Sequence, residues 1–208
     1  MKKTTCKIFS DASYDHLTGK CGYGVAIVMR DLCIFKYGSI RGAKSSCEAE
    51  VLAAKKGLDY LKTKEFKRLC RPVKKVVLLS DNHCVGAFRQ DSQMVEKWRR
   101  SPKKCKHRLA DIIDSMKESV KGLERGSEAF HIHGHTDLKN CQDPVHRQLE
   151  YKYNLWCDRS ARKNLRYDLR GKQIVKCSGF ADADNYDVEV PVGAMIAWKE
   201  ESLARNLQ

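Results

Sequence analysis

Val76-Val77-Leu78-Leu79-Ser80-Asp81 is a continuous apolar run, rich in β-branched residues, that ends on a carboxylate. A run without polar alternation suits a strand buried on both faces, as strands in parallel positions are. Upstream, residues 5–10, 22–30 and 32–39 read as three successive strands, with Gly22-Tyr23-Gly24 opening the second and Arg30-Asp31 turning into the third. That is an antiparallel meander. Residues 46–61 then place Ala49, Leu52, Ala53, Leu58 and Leu61 at helical spacing, with Ser45 or Ser46 as N-cap. A helix between a meander and a doubly buried strand makes a crossover, so the chain is read as α/β with a mixed sheet.

Downstream, a helical stretch runs from Asp81 to about Arg99, followed by a basic segment. An amphipathic helix over roughly 106–121 puts Leu109, Ile112, Ile113, Met116 and Val120 on one face. Phe130-His131-Ile132-His133 reads as a last central strand that leaves through Gly134-His135-Thr136-Asp137 into a polar loop. Residues 146–165 form a further helix. Beyond it, Ile174-Val175, Val188-Glu189-Val190-Pro191 and Ala194–Trp198 have the character of short strands.

Composition narrows the class of partner. A chain of 208 residues, 42% hydrophobic, forms one globular domain or one domain plus an extension. Its 40 Lys and Arg against 26 Asp and Glu leave a net charge of +14, which fits a polyanion. Residues 62–108 alone hold 15 basic residues against Glu65, Asp81, Asp91 and Glu96. The densest part is Lys97-Trp98-Arg99-Arg100-Ser101-Pro102-Lys103-Lys104-Cys105-Lys106-His107-Arg108, where an aromatic is interleaved with cations as in a phosphate-contacting arm. A solvated helix face is the plainer alternative.

The ten cysteines include no Cys-x-x-Cys pair, so no structural zinc is expected. Combinations such as Cys141 with His146, or His83 with Cys84, fall short of four closely spaced ligands. There is no signal peptide and no apolar run near membrane-spanning length, so no membrane partner is expected. An intracellular location, cytoplasmic or nucleoid/nuclear, follows from the cysteine usage.

Four acids stand at element ends or on helices. Asp11 closes Lys7-Ile8-Phe9-Ser10, Glu50 opens Val51-Leu52-Ala53-Ala54, Asp81 closes the central strand, and Asp158 opens Arg159-Ser160-Ala161. Carboxylates so placed cost free energy unless something binds them, and a convergent set of four can hold two divalent metals. His131, His133 and His135 alternate, which admits a three-histidine metal site. The plainer reading packs His131 against neighbours and leaves His135 as the functional residue.

Five segments, in order over residues 5–165, resemble those of a type 1 ribonuclease H. They are Ile8-Phe9-Ser10-Asp11-Ala12-Ser13 with Gly22-Tyr23-Gly24; Ala49-Glu50-Val51-Leu52-Ala53-Ala54; Leu79-Ser80-Asp81-Asn82; His133-Gly134-His135; and Asn154-Leu155-Trp156-Cys157-Asp158-Arg159-Ser160-Ala161. The resemblance implies a ribonuclease H-like fold, a five-stranded mixed sheet (three antiparallel strands, then parallel ones) flanked by helices. It implies a catalytic domain over 1–165, with 166–208 as a C-terminal extension. Asp11, Glu50, Asp81 and Asp158 would be the metal-binding carboxylates and His135 the mobile loop histidine. Glu50 is chosen over Glu48 because it directly precedes the apolar run, and Glu48 lies about 200° around the helix from it. Glu48 then serves the helix N-terminus.

The activity implied is endonucleolytic cleavage of the RNA strand of RNA/DNA hybrids with two Mg²⁺, or Mn²⁺, leaving a 5′-phosphate and a 3′-hydroxyl. Nucleic-acid contacts are expected at Ser13, Ser46, Cys47, Asn82, His83, Lys97, Trp98, Arg99, Arg100, Lys103, Lys104 and Asn154. Two departures bear on substrate choice. Ser46, Cys47 and Glu48 replace the asparagines the family favours, and His83 stands where it has a glutamine. Those residues read the 2′-hydroxyl that separates RNA from DNA. Two alternatives therefore stand: a nuclease of the same fold acting on DNA or structured RNA, and an inactive nucleic-acid-binding module.

Overall fold

The computed structural model describes residues 5–29, 32–70, 72–89, 92–123, 126–134 and 145–176. Strands β1 (Thr5–Tyr14), β2 (Cys21–Met29) and β3 (Leu32–Ser39) form the meander, and α1 (Ser46–Leu61) and α2 (Lys64–Leu69) lead into β4 (Lys75–Ser80). A 3-10 segment (His83–Phe88), α3 (Met94–Arg99) and α4 (Lys104–Val120) follow. β5 (Ser127–His131), α5 (Val145–Tyr167) and β6 (Gly171–Lys176) complete the described chain. Arg30 and Asp31, and the short strands expected beyond residue 176, lie outside the described residues.

The sheet order is β5-β4-β1-β2-β3-β6. β1, β4 and β5 are parallel, whereas β2, β3 and β6 each run antiparallel to the neighbour before them. The first five strands and their helices follow the element order expected from the sequence. The sheet has six strands rather than five, because Gly171–Lys176 pairs along the outer edge of β3 from Leu32 to Tyr37. β5 is an edge strand and not a central one, which leaves Phe130 about half exposed. The expected single helix between Asp81 and Arg99 is divided. Asn82 caps the 3-10 segment by accepting from the Cys84 N–H at 2.8 Å, and α3 begins only at Met94.

Each sheet face carries its own core. Ile8, Val25, Ile27, Ile34 and Leu78 pack under α1 and α4 with Leu58, Leu109, Ile113 and Met116. Phe9, Phe35, Val77 and Leu79 pack under α5 with Tyr153, Trp156 and Cys157. Aromatic rings tie α5 down, with Phe9 on Tyr153 at 5.1 Å and Phe35 on Trp156 at 4.7 Å, and such pairs contribute about 0.5–1.5 kcal/mol each beyond burial. β2 is buried along its whole length because helices cover both its faces.

Glycine sets how closely α5 approaches. A Cβ on Gly22 would lie 2.1 Å from the Ala161 carbonyl oxygen, and one on Gly24 would lie 2.4 Å from that of Cys157. Backbone therefore meets backbone where α5 crosses β2. The Gly22-Tyr23-Gly24 segment is a packing requirement, and it seats the helix that bears Asp158.

Candidate metal centre

The register of β1 and β4 pairs Phe9 with Leu79, so Asp11 and Asp81 each stand two residues beyond a paired position at the same end of the sheet. α1 supplies the third carboxylate from its first turns. Ser45 caps this helix by accepting from the Glu48 N–H at 3.2 Å, a contact of about 1 kcal/mol that fixes where the helix starts. Glu50 Oε2 accepts from the Ala12 N–H at 3.1 Å, which ties the helix to β1.

Carboxylate oxygens of Asp11, Glu50 and Asp81 all lie within 4.8 Å of one another. Asp11 and Glu50 are buried, at 7% and 8% exposure, and Asp81 is half-buried. Burial, and then the Asp81 charge, push the Asp11 carboxyl up to about 7, with Asp158 adding to the effect. Glu50 is raised well above the usual carboxylate range by burial first and the Asp11 charge second. Two carboxyls held this close, both raised by burial, call for a shared proton when no cation is bound. A cation removes that requirement by replacing the proton. Three carboxylates, two buried and one half-buried, can thus hold a metal ion, and an all-oxygen set suits a hard one.

The fourth acid is near but differently engaged. Asp158 acts on Asp11 electrostatically, yet its Oδ1 accepts from Arg162 Nε at 2.6 Å. The i,i+4 spacing of Asp158 and Arg162 is the sequence signal for that pair. Glu48 points elsewhere, as its angle on α1 demands. It is buried, ion-paired with Arg108 Nε at 2.8 Å, and accepts from the Lys44 N–H at 3.3 Å. Its partner Arg108 also donates to the Gly42 carbonyl at 2.7 Å, so α4 is clamped to the start of α1. The sequence reading missed that clamp, since nothing local marks contacts across 60 residues of α4 and α1.

His135 lies outside the described residues, but the backbone leading to it does not. A Cβ on Gly134 would lie 2.2 Å from Asp81 Oδ2, so the chain passes directly against this carboxylate. His131 stacks flat on His83 at 4.1 Å, and its Nε2 is 3.0 Å from the Asp81 carbonyl. His133 meets His131 edge-on at 6.0 Å. β5 ends at His131, so the strand alternation expected to align the three histidines stops there.

The expected nucleic-acid residues fall into three groups. Lys97, Arg99, Arg100, Lys103 and Lys104 are exposed on α3 and at the start of α4, with Arg99 ion-paired to Asp114. Ser46 and His83 are exposed, while Ser13, Cys47 and Asn82 are half-buried around the carboxylates. Trp98 and Asn154 differ from expectation, being only 6% and 3% exposed. The Trp98 indole is a core residue beside Val95, with Lys106 Nζ 5.5 Å from its ring, because α3 is a short helix that must turn its apolar side inward. Asn154 sits on the inner side of α5 among Tyr153 and Trp156, and neither side chain is presented for stacking or hydrogen-bonding to a base.

Among the described residues, no helix is long and apolar enough to cross a membrane. No family model matches the chain, and no curated protein matches it. Among solved structures, ribonuclease H1 from the halophilic archaeon Halobacterium salinarum NRC-1 is 12% identical, with a TM-score of 0.47 over 77% of this chain and 98% of that one. LC11-ribonuclease H1 in complex with an RNA/DNA hybrid is 16% identical, with a TM-score of 0.45 over 77% of this chain and 99% of that one. The N-terminal ribonuclease H domain of a Mycobacterium tuberculosis protein is 17% identical, with a TM-score of 0.44 over 76% of this chain and 97% of that one.

Proposed function

We propose that the chain is a metal-dependent endonuclease that hydrolyses the RNA strand of RNA/DNA hybrids, leaving a 5′-phosphate and a 3′-hydroxyl. The observation that supports this most is the convergence of Asp11, Glu50 and Asp81 within 4.8 Å, the first two buried and the third half-buried, at one end of a ribonuclease H-like sheet. Two Mg²⁺, or Mn²⁺, would supply activation of water on one side of the scissile phosphate and stabilisation of the departing oxygen on the other.

Asp11 is assigned to bridge both ions, Asp158 to complete the water-activating side, and Glu50 and Asp81 to hold the leaving-group side. For that role Asp158 gives up its contact with Arg162, a half-exposed partner whose loss costs about 0–1 kcal/mol. His135 is assigned to move a proton or assist product release. Ser46, Cys47, Asn82 and His83, neighbours in sequence of Glu50 and Asp81, are assigned to the substrate backbone, as are the exposed cations from Lys97 to Lys104. The catalytic unit is assigned to residues 1–165, and 166–208 to an extension.

Purified protein with Mg²⁺ is tested on labelled RNA/DNA hybrid, double-stranded RNA, double-stranded DNA and single strands. Cleavage confined to the RNA of the hybrid is the expected result. Cleavage of DNA without cleavage of hybrid would overturn the substrate assignment, and full activity in Asp11→Asn would overturn the site.

A further inference from the structure

A second region of unmatched charge lies at the opposite edge of the sheet. β6, the end of β3 and the C-terminal half of α1 enclose a cavity of about 640 Å³. Its lining contributes five cations, Lys36, Arg41, Lys56, Arg170 and Lys172, against a single carboxylate, Glu65. Lys172 is ion-paired with Glu65, and the other four cations form no ion pair among the described residues. Four like charges are thus left converging on one concavity.

The wall between them is aromatic. Lys36 Nζ sits 4.2 Å from the centre of the Tyr60 ring and Lys172 Nζ 5.6 Å from it. The Tyr60 side chain is buried, at 4% exposure, and its hydroxyl lies beside Glu65, the one carboxylate of the lining. Burial, and then Lys172, hold Lys36 below the usual lysine range, and Glu65 offsets them only in part.

We infer that this cavity is a phosphate-binding subsite, built by the added strand β6 and separate from the carboxylate cluster. A phosphate oxygen would compete with Glu65 for the Tyr60 hydroxyl and neutralise cations that have no ion pair among the described residues. The dianion of a free phosphate compound and the backbone of a polynucleotide share this chemistry. Position favours the backbone. Asp11 pairs with Gly24, and Gly24 with Tyr37, so the cavity wall begins two strand steps from the carboxylates. Tyr60 is ten residues past Glu50 on α1, about 15 Å along the helix, a separation that one nucleic-acid strand covers in a few nucleotides. The choice of polynucleotide rests on the proposed nuclease activity; the subsite itself does not.

The test is metal-free binding by the full chain, in EDTA, of pyrophosphate and of labelled RNA/DNA hybrid. The variant is Lys36→Gln with Arg170→Gln, and the matched control removes two charges on and just beyond α4, Lys117→Gln with Lys121→Gln. For the backbone reading, the cavity variant should weaken hybrid binding about tenfold and lower the slope of log K against log salt by about 1–2, while the control changes the slope by less than half as much. Loss of pyrophosphate binding with hybrid binding kept would assign the subsite to a free phosphate compound. Equal effects of the two variants on both ligands, or no effect of either, would overturn the subsite. Tyr60→Phe separates contact from field, since it should weaken pyrophosphate binding about threefold or more without altering charge. Hydrolysis enters none of these readouts, so failure of the nuclease assignment would leave them interpretable.

Discussion

Two regions of this sheet hold, among the described residues, an excess of charge of one sign, and they do so at different cost. Around Asp11, negative charge is concentrated by burial, and the structure pays with raised carboxyl pKa values and a retained proton. Around Tyr60, positive charge is spread over long side chains on a cavity rim, where solvent and an aromatic face carry most of the burden. The first arrangement makes sense only where a high local field is needed for chemistry. The second suffices for holding a ligand in place.

The largest test of that contrast is Asp11→Asn. It should lower single-turnover hydrolysis of the hybrid by about 10³-fold or more, the scale of losing an electrostatic stabiliser of the transition state, while hybrid binding in EDTA holds or tightens. Comparable loss of both would mean that the acidic end binds as much as it reacts.

A smaller effect should follow from Gly134→Ala. The added methyl meets Asp81 Oδ2 and must move either the carboxylate or the chain. A displacement near 1 Å costs on the order of 10²-fold in rate. Single-turnover rates at saturating Mg²⁺ should fall, with pyrophosphate binding untouched. Unchanged rates would show that the position of Asp81 is not critical.

The smallest effect is on metal-free stability. The native Asp11 carboxyl titrates near 7, against about 3.9 in an unfolded chain, so between those values the folded state holds the extra proton. Stability then falls as pH rises through that window and levels off above it. In EDTA, thermal melts should show this decline. Asp11→Asn should flatten it and stabilise the protein at about pH 8 by about 1–2 kcal/mol, as relief of strained functional sites does. A melting temperature that climbs steadily from about pH 5 to pH 8 would contradict the assigned field.

Much of this was legible in the sequence where the signal is local. The three strands, α1 and β4 are written in runs of burial and a serine cap, with Asp11 in β1, Glu50 near the start of α1 and Asp81 just past β4. Trp98 was misjudged because neighbouring cations mark a basic segment without saying which way one ring turns. The position of β5 was misjudged because strand order is set by pairing partners, and an apolar run looks alike at the centre and at the edge. Asp158 was placed on the right helix, but its contact with Arg162 is a matter of rotamer. The cavity at Tyr60 was invisible, because Lys36 and Lys172 become neighbours only once β6 adds to β3.

β6 also bears on solubility. The strand it covers, β3, is buried and apolar at Leu32, Cys33, Ile34 and Phe35, and on its other side its backbone is satisfied by β2. Without Gly171–Lys176, the backbone N–H and C=O groups from Leu32 to Tyr37 would face outward as an unprotected strand edge, the kind of surface through which chains associate side by side. A fragment ending at residue 165 would keep every proposed metal ligand and yet carry an adhesive border, so its failure in solution would say nothing about its chemistry.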